Sequence, residues 1–440
     1  MQDEFNFSSD NKAILVTLYS EKTDHYESLK KCEESLDELA SLSETLGLEV
    51  QTRFIQIRSQ IDPATFIGRG KLEEIKDFAT QTKSSILIFD VELSGAQVKN
   101  INNLSKLQTI DRCQLILEIF AKHAQTKEAK IQIEISRLNY LLPRLTSYWS
   151  HFSRQKGGMS TVGGEGEKQL ELDKRIIKNK IKHYNKVLEG IKNTRLQQKK
   201  KRQGQIITAA LVGYTNVGKS SLMNKLCRQN LLVEDKLFAT LDSTYRLLNP
   251  ESRPPMVLID TVGLIANLPH QLVKGFRTTL ESALEADLLL IVCDLSSANT
   301  EHQLETTFRV LEEIEAKDQE RIIVFNKKDK NNDMLKEKIL RKNYPQSFFV
   351  SIYNDEDMDY LRKEILQLFL SKQNRYDLFI PYQAGEEHSK VEAQTNILNK
   401  VCHQDGIYYR IAIPEQIFGH LNMKNFILSP EQVSKREVPH

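Results

Sequence analysis

The sequence predicts an α/β protein of several domains with one long helical hairpin. Strand-like and helix-like segments alternate at both ends of the chain, which is typical of parallel sheets covered by helices. A stretch of helical periodicity separates them. The 440 residues exceed the size of one hydrophobic core. We expect an N-terminal α/β subdomain (1–112), a helical hairpin with a glycine-rich loop (113–203), a second α/β domain (204–373) and a small C-terminal α/β domain (374–440).

The N-terminal part alternates strands with helices, so we expect a mainly parallel sheet there. Strands are predicted at 12–20, 48–58, 85–90 and 107–112, and helices at 24–45, 70–80 and 94–104.

Two apolar seams at spacings of three and four residues predict the hairpin. The first is formed by Ile131, Ile135, Leu138, Leu142 and Leu145, and the second by Ile177, Ile181, Tyr184, Leu188 and Ile191. The segment between them, KGGMSTVGGEGEKQ (156–169), is rich in glycine, and we expect a mobile loop.

The second predicted hairpin helix is strongly positively charged. From Lys174 to Arg202 there are twelve Lys or Arg residues and one acid, Glu189. Two interpretations stay open, a solvated helix face that leads into a linker and a surface that contacts RNA phosphates.

The net charge and the cysteine pattern indicate which classes of protein the chain can belong to. The net charge of +2 does not by itself indicate a nucleic-acid-binding protein. The five cysteines are scattered without a CxxC pair, which favours reduced thiols over disulfides or a zinc site. No segment resembles a signal peptide or a membrane span. We expect a cytoplasmic monomer, with association to a membrane surface as a further option.

The second half of the chain continues the alternation to about residue 372. In the C-terminal part, strands are expected at 377–382 and 407–414 around a helix near 388–403.

A phosphate-binding motif follows the apolar strand 206–213. The segment GYTNVGKSS (213–221) fits G-x-x-x-x-G-K-[ST] and precedes a helix, which is the context that this motif requires. Its glycines allow the backbone N–H groups to face phosphates. Lys219 is the candidate catalytic residue, which reaches the β and γ phosphates, and Ser220 offers a hydroxyl to Mg²⁺.

Two further motifs occur downstream in a fixed order. In MVLIDTVG (256–263), Asp260 can hold Mg²⁺ through water and the N–H of Gly263 can bind the γ-phosphate. In RIIVFNKKD (321–329), the Asp329 carboxylate can accept two hydrogen bonds from guanine, which adenine cannot donate. We expect Asn326 to brace the phosphate loop and the Lys327 stem to cover the base.

The loop after the strand 348–353 is expected to back the guanine through Ser351, whose alternative role is a strand-end cap. The segment LFATLDSTYR (237–246) lies where the first switch belongs, and its Thr240, Ser243 and Thr244 are equal candidates for Mg²⁺ by spacing. Together, these motifs predict a Ras-like P-loop GTPase domain that binds GTP and GDP.

Longer stretches give a more specific resemblance. The segments 64–75, 89–101 and 109–145, together with GYTNVGKSSLMN and LFATLD, resemble the HflX family of translational GTPases over nearly the whole chain. The resemblance implies that Thr240 is the switch threonine that binds Mg²⁺. It also implies binding to the large ribosomal subunit and its RNA, and a role in splitting or rescuing stalled ribosomes under stress. The hairpin would then reach ribosomal RNA near the peptidyl-transferase region.

The motifs and the resemblance give one set of nucleotide-binding candidates. They are Gly213, Tyr214, Thr215, Asn216, Val217, Gly218, Lys219, Ser220, Phe238, Ala239, Thr240, Leu241, Asp242, Asp260, Thr261, Val262, Gly263, Asn326, Lys327, Lys328, Asp329, Ser351, Ile352 and Tyr353.

The glycine segment departs from the family pattern. That pattern reads close to R-G-P-G-E-x-x-x-E-x-D-R-R, whereas this chain has GGEGEKQLELDKR (163–175). Gly163 replaces the arginine and Glu165 replaces the proline, so we expect a looser and less positive loop.

Leu264 follows DTVG where many GTPases carry a glutamine that orients the attacking water. A hydrophobic residue here fits the family, so we expect slow hydrolysis that the ribosome stimulates. Ribosome-induced ordering of the switches is one possible source of the missing catalysis. A K⁺ ion held by Asn216 is another, and the alternative role of Asn216 is to brace the loop.

Three other functions stay open at this point. They are a GTPase for ribosome assembly, an RNA-remodelling ATPase that uses the N-terminal region, and a non-hydrolysing GTP sensor. The NKKD motif argues against the ATPase.

Overall fold

The computed structural model describes residues 12–21, 28–145, 163–202, 206–228, 244–249, 253–264, 286–316, 319–371, 373–429 and 432–433. These residues divide into two units, one that ends at Ile191 and one that starts at Lys192. The four-part division by sequence stays a prediction.

The first unit contains a parallel four-stranded sheet, as the alternating pattern predicts. Its strand order is β2-β1-β3-β4, with β1 (Lys12–Tyr19), β2 (Glu49–Ile57), β3 (Ile86–Phe89) and β4 (Gln108–Asp111). Its first three helices are α1 (Leu29–Leu46), α2 (Arg69–Thr82) and α3 (Gly95–Ser105). The central strands β1 and β3 are buried along their length, which explains their unbroken apolar sequences.

The first half of the predicted hairpin is two helices, α4 (Arg112–His123) and α5 (Lys127–Leu141). Thr126 begins α5, because its side chain accepts a hydrogen bond from the N–H of Ala129. Leu142 and Leu145, which we predicted as seam residues, lie beyond the end of α5. Pro143 explains this end, because proline has no N–H to donate to the carbonyl four residues earlier, and the chain continues as a short 3-10 helix, Leu142–Arg144.

The second half is one helix, α6 (Gly163–Arg202). The prediction of a loop over 156–169 is therefore wrong for 163–169, and 156–162 lie outside the described residues. The predicted seam residues of α6 are half-buried, whereas most of its other described residues are exposed.

The second unit contains a six-stranded sheet in the order β10-β9-β8-β5-β7-β6, in which only β6 is antiparallel. The strands are β5 (Ile207–Gly213), β6 (Thr244–Asn249), β7 (Met256–Asp260), β8 (Leu288–Asp294), β9 (Arg321–Asn326) and β10 (Phe348–Phe349). The helices are α7 (Lys219–Leu226), α8 (Thr300–Glu313), α9 (Met334–Asn343) and α10 (Asp355–Ser371). The loop after β5 leaves the sheet between β7 and β8, which is where open α/β sheets bind ligands.

The C-terminal part is an antiparallel sheet in the order β11-β13-β12, with two helices. The elements are β11 (Asn374–Pro381), α11 (Gly385–Gln394), β12 (Asn396–Cys402), β13 (Gly406–Ile413) and α12 (Glu415–Leu421). The helix that we predicted near 388–403 ends at Gln394, so that prediction is wrong for 396–402. In β12 the side chains from Leu398 to Cys402 are alternately exposed and half-buried, as in an edge strand.

None of the described helices is long and apolar enough to cross a membrane.

Candidate functional site

The phosphate-binding loop connects β5 to α7, and two of its glycines lie where a side chain cannot fit. A Cβ at Gly213 would lie 2.1 Å from the carbonyl oxygen of Val292 in β8. Gly218 has φ of +89°, and its Cβ would lie 2.5 Å from the Asn326 amide nitrogen. The glycines therefore permit close packing of the loop against the strands beside it.

Lys219 is the first residue of α7 and its side chain is buried. Its Nζ donates hydrogen bonds to the carbonyl oxygens of Gly213 at 3.0 Å and Tyr214 at 2.7 Å. Burial lowers the pKa of Lys219 to about 8, and the nearby Asp260 carboxylate opposes this shift. The ammonium group lies inside the curve of the loop, where an anion would neutralise it.

Ser220 and Asp260 lie side by side at the carboxyl edge of the sheet. The Ser220 hydroxyl donates to the Asp260 carboxylate at 2.5 Å, and Asp260 is 1% exposed. A hydroxyl next to a carboxylate is the kind of oxygen donor set that Mg²⁺ prefers. These two residues therefore fit the predicted magnesium site, although the described residues contain no cluster of three or more acidic, His or Cys side chains.

The DTVG segment is held against strand β5 and the phosphate loop that follows it. The Thr261 hydroxyl donates to the carbonyl oxygen of Leu211 at 2.6 Å. A Cβ at Gly263 would lie 2.7 Å from Thr215 Cγ2 and 3.1 Å from Lys219 Nζ. Gly263 therefore lies directly over the loop that is predicted to hold the phosphates.

The Leu264 backbone also contacts the phosphate loop, whereas its side chain is buried in the hydrophobic core. Its N–H donates to the Gly213 carbonyl at 3.0 Å, and its carbonyl accepts from Thr215 N–H at 2.7 Å. The side chain is 4% exposed and belongs to a core cluster with Val212 and Ile259. The residue at the glutamine position is thus part of the core and does not face the loop.

The NKKD segment connects β9 to the phosphate loop. The buried Asn326 amide donates to the Val217 carbonyl at 2.9 Å. Lys327 donates from Nζ to the Asn216 carbonyl and to Asp294 Oδ2, both at 2.7 Å. Asp294 is a residue that the sequence reasoning missed. The available signal was an acid at the end of the buried strand LLLIVCD, beside the phosphate loop.

Asp329 is held in place by the loop after β10. The Ser351 hydroxyl donates to Asp329 Oδ1 at 2.6 Å, and the Ser351 N–H donates to Asp357 at 2.9 Å. The Ser351 side chain thus contacts the residue that is predicted to select guanine. Tyr353 is largely exposed nearby.

The structure therefore brings four predicted groups to one edge of the sheet: the loop 213–220, the segment 260–263, the segment 326–329 and Ser351 with Ile352 and Tyr353. The switch candidates Phe238, Ala239, Thr240, Leu241 and Asp242 lie outside the described residues.

Three family models match consecutive parts of the chain. Residues 33–121 match the GTP-binding GTPase N-terminal model, residues 123–202 match the GTP-binding GTPase middle region, and residues 208–327 match the 50S ribosome-binding GTPase model.

Similar proteins extend the match to nearly full length. The chain is 37% identical over 419 residues to GTPase HflX of Caldanaerobacter subterraneus subsp. tengcongensis, covering 95% of this chain and 94% of the relative. It is 34% identical to GTPase HflX of Escherichia coli, covering 91% and 92%. A crystal structure of a GTP-binding protein from Sulfolobus solfataricus in complex with GDP has 26% identity and a TM-score of 0.44, covering 81% of this chain and 98% of that one. On the identity and coverage of the two HflX relatives, the chain belongs to the HflX family of GTPases.

Proposed function

We propose that the protein is a GTP-hydrolysing switch that binds the large ribosomal subunit and splits or rescues stalled ribosomes under stress. The observation that carries the proposal is the burial of Leu264 beside the phosphate loop, at the sheet edge where the DTVG and NKKD segments also lie. A site without a side chain to orient water binds GTP but hydrolyses it slowly. Such a protein depends on a partner to complete catalysis, and the cytoplasmic ribosome is the proposed partner.

The proposed chemistry begins with positioning of the phosphates. The N–H groups of the loop 213–220 and the Lys219 ammonium bind the β and γ phosphates. Ser220, Thr240 and, through water, Asp260 would hold Mg²⁺. When bound, Mg²⁺ neutralises charge that develops on the phosphate oxygens. Gly263 binds the γ-phosphate through its N–H, so loss of this phosphate releases the segment that starts there.

Selection of guanine is assigned to Asp329. Its carboxylate accepts hydrogen bonds from N1–H and the exocyclic amino group, while Ser351 holds the carboxylate from the side. A wrong base leaves this charge unpaired, which is why paired hydrogen bonds discriminate strongly.

K⁺ is a second proposed cofactor, with Asn216 as its side-chain ligand. Asn216 is exposed, and its side chain forms no hydrogen bond with any described residue. Its backbone carbonyl accepts from Lys327, so the bracing contact at this residue comes from the main chain. That leaves the amide oxygen accessible to a cation. Replacement of K⁺ by Na⁺ should slow hydrolysis without weakening GDP binding.

Two observations support the ribosome as the partner: the basic residues of α6 and the description of one matching family model. Lys and Arg side chains on one helix neutralise RNA phosphates, and their effect does not depend on base sequence. The model that matches residues 208–327 is described as a 50S ribosome-binding GTPase.

Sucrose-gradient sedimentation of 70S ribosomes tests this function. With the protein and a non-hydrolysable GTP analogue, we expect separated subunits and the protein in the large-subunit fraction. With GDP, we expect intact ribosomes. Intact 70S ribosomes in both cases, together with immature large subunits in a deletion strain, would replace splitting by an assembly role.

A further inference from the structure

A cavity of about 590 Å³ lies between α5 and α6, where the two seams predicted a filled interface. Its volume falls within the range of about 300–1,000 Å³ that is typical of small-ligand sites. The space is an open cleft at the surface of the helix pair and not an enclosed void, so a ligand can enter it from solvent.

The cavity wall combines positive charge with aromatic rings. Lys127 and Lys130 line it from α5, and His183 and Tyr184 line it from α6. The His183 and Tyr184 ring centroids are 5.9 Å apart. Both lysines are exposed, and neither forms an ion pair with any other residue in the described part of the chain. Their charges are therefore available to an anionic ligand.

The remaining wall is mainly apolar. Ile131 of α5 and Val187 of α6 are half-buried and line the cavity, and Glu134 is the single acid among the lining residues. Lys180 and Lys186 lie three residues before and after His183, so they share one side of α6 with it. The surroundings are thus basic, which favours a ligand that carries phosphate.

We propose that this cavity binds one unstacked nucleotide of an RNA single strand or loop, with its base against Tyr184 and its phosphates near Lys127 and Lys130. Stacking on an aromatic ring and contact of phosphates with lysines are the two means by which proteins bind single-stranded RNA. The proposal rests on the RNA contact in the proposed function and names the site where that contact is made.

The test is binding of a ten-nucleotide single-stranded RNA, measured by fluorescence anisotropy with the GTPase site saturated by GDP. We expect Tyr184→Leu to weaken binding about tenfold because the stacking surface is lost. Tyr184→Phe should bind as the wild type does, because stacking does not need the hydroxyl group. A central 2-aminopurine in the RNA should change its fluorescence on binding to the wild type and to Tyr184→Phe, but not on binding to Tyr184→Leu.

Lys130→Gln is compared with Lys178→Gln, which removes the same charge from an exposed position on α6 outside the cavity. We expect the larger loss for Lys130→Gln. Equal losses for the two lysines, or no effect of Tyr184→Leu in a protein with an unchanged helical circular dichroism signal, would overturn the proposal. Displacement of the RNA by ATP in the wild type would also overturn it, because the cavity would then be a site for free nucleotides.

Stimulation of GTP hydrolysis by large ribosomal subunits is measured on the same proteins. If the wild type is not stimulated but the RNA results are as expected, the ribosome function fails and the cavity assignment stands. If the wild type is stimulated but RNA binding is unchanged by Tyr184→Leu, the cavity assignment fails and the ribosome function stands.

Discussion

The four-stranded sheet of the first unit and the six-stranded sheet of the second can be compared at the edge where their parallel strands end. In both sheets the strand order changes direction next to the first strand, β1 or β5. In the first unit, charged side chains fill this edge. Arg112 contacts Asp90 at 2.7 Å and also pairs with Glu38, and all three are largely buried. In the second unit, the edge is a backbone loop shaped around glycines. The same architecture is thus closed by ion pairs in one unit and open to a phosphate in the other.

A second ion-pair group reinforces the closed edge. Asp111 accepts hydrogen bonds from the N–H groups of Leu93 and Gln114, and Arg144 lies 3.4 Å from its carboxylate. Burial raises the pKa of Asp111, against the effect of these donors. These contacts connect the segments that follow strands β3 and β4. Function therefore depends on the loop chemistry and does not follow from the sheet.

The largest expected effect concerns the closed edge. Arg112→Ala leaves Asp90 and Glu38 buried without their cation, and we expect it to reduce the stability of the first unit by about 3–5 kcal/mol. Urea unfolding followed by circular dichroism measures this loss. Arg53→Ala is the matched control, because its ion pair with Asp37 is exposed and contributes less than about 1 kcal/mol. Similar shifts for both variants would mean that the buried network does not close this edge.

At the open edge, the next largest effect is expected at Asp329. Asp329→Asn replaces one acceptor by a donor, so GTP affinity should fall about 100-fold and xanthosine triphosphate should bind instead. Isothermal titration calorimetry with both nucleotides measures the exchange. The control is Asp333→Asn, since asparagine also serves at this helix N-cap. Unchanged GTP affinity in Asp329→Asn would remove this residue from the guanine site.

The lowered pKa of Lys219 predicts a pH effect of intermediate size. Above about pH 8 the free protein loses the Lys219 proton, whereas bound phosphate restores it. GDP affinity should therefore be constant below pH 8 and fall by up to about tenfold per pH unit above it. In the absence of nucleotide, the same group makes the protein more stable as pH rises from 8 towards the ordinary lysine pKa.

Guanosine is the control for this titration, because it presents the same base without phosphates. An equal decline for guanosine and GDP would assign the pH effect to the base and not to Lys219.

The smallest effect is expected at Asp294, which contacts the guanine site only through Lys327. Asp294→Asn keeps the hydrogen bond but weakens the ion pair, so GDP should dissociate only a few times faster. Stopped-flow release of a fluorescent GDP analogue measures this rate. Lys327→Ala should raise the GDP dissociation rate by a smaller factor in the Asp294→Asn background than in the wild type, since both substitutions act on one contact. Fully additive effects would separate the two residues.

Motif order and strand patterns predicted most of the open edge. Each of its parts is a short local sequence with a chemical requirement, such as glycines for close packing or an acid for guanine. The Leu264 side chain could be recognised as unable to bind water, but its burial depends on Val212 and Ile259 from other strands. Asp294 was missed because its partner Lys327 is distant in sequence.

The closed edge was not predicted at all. Asp90 and Arg112 lie in segments that resemble the family, but nothing in those segments indicates an ion pair with Glu38, so only the fold brings the three residues together. Local sequence patterns also gave wrong secondary structure in two segments. Glycines suggested a loop at 163–169, where the chain is helical, and a helix was predicted over 396–402, where the chain forms an edge strand.

The rate of GTP hydrolysis with and without purified large ribosomal subunits tests the central claim most directly. With Leu264 in the core, we predict slow hydrolysis by the protein alone and a rise of at least about 100-fold with the subunits, as expected when a partner completes a GTPase site. An unchanged rate, with GTP still bound, would contradict the claim and favour a GTP sensor that does not hydrolyse its ligand.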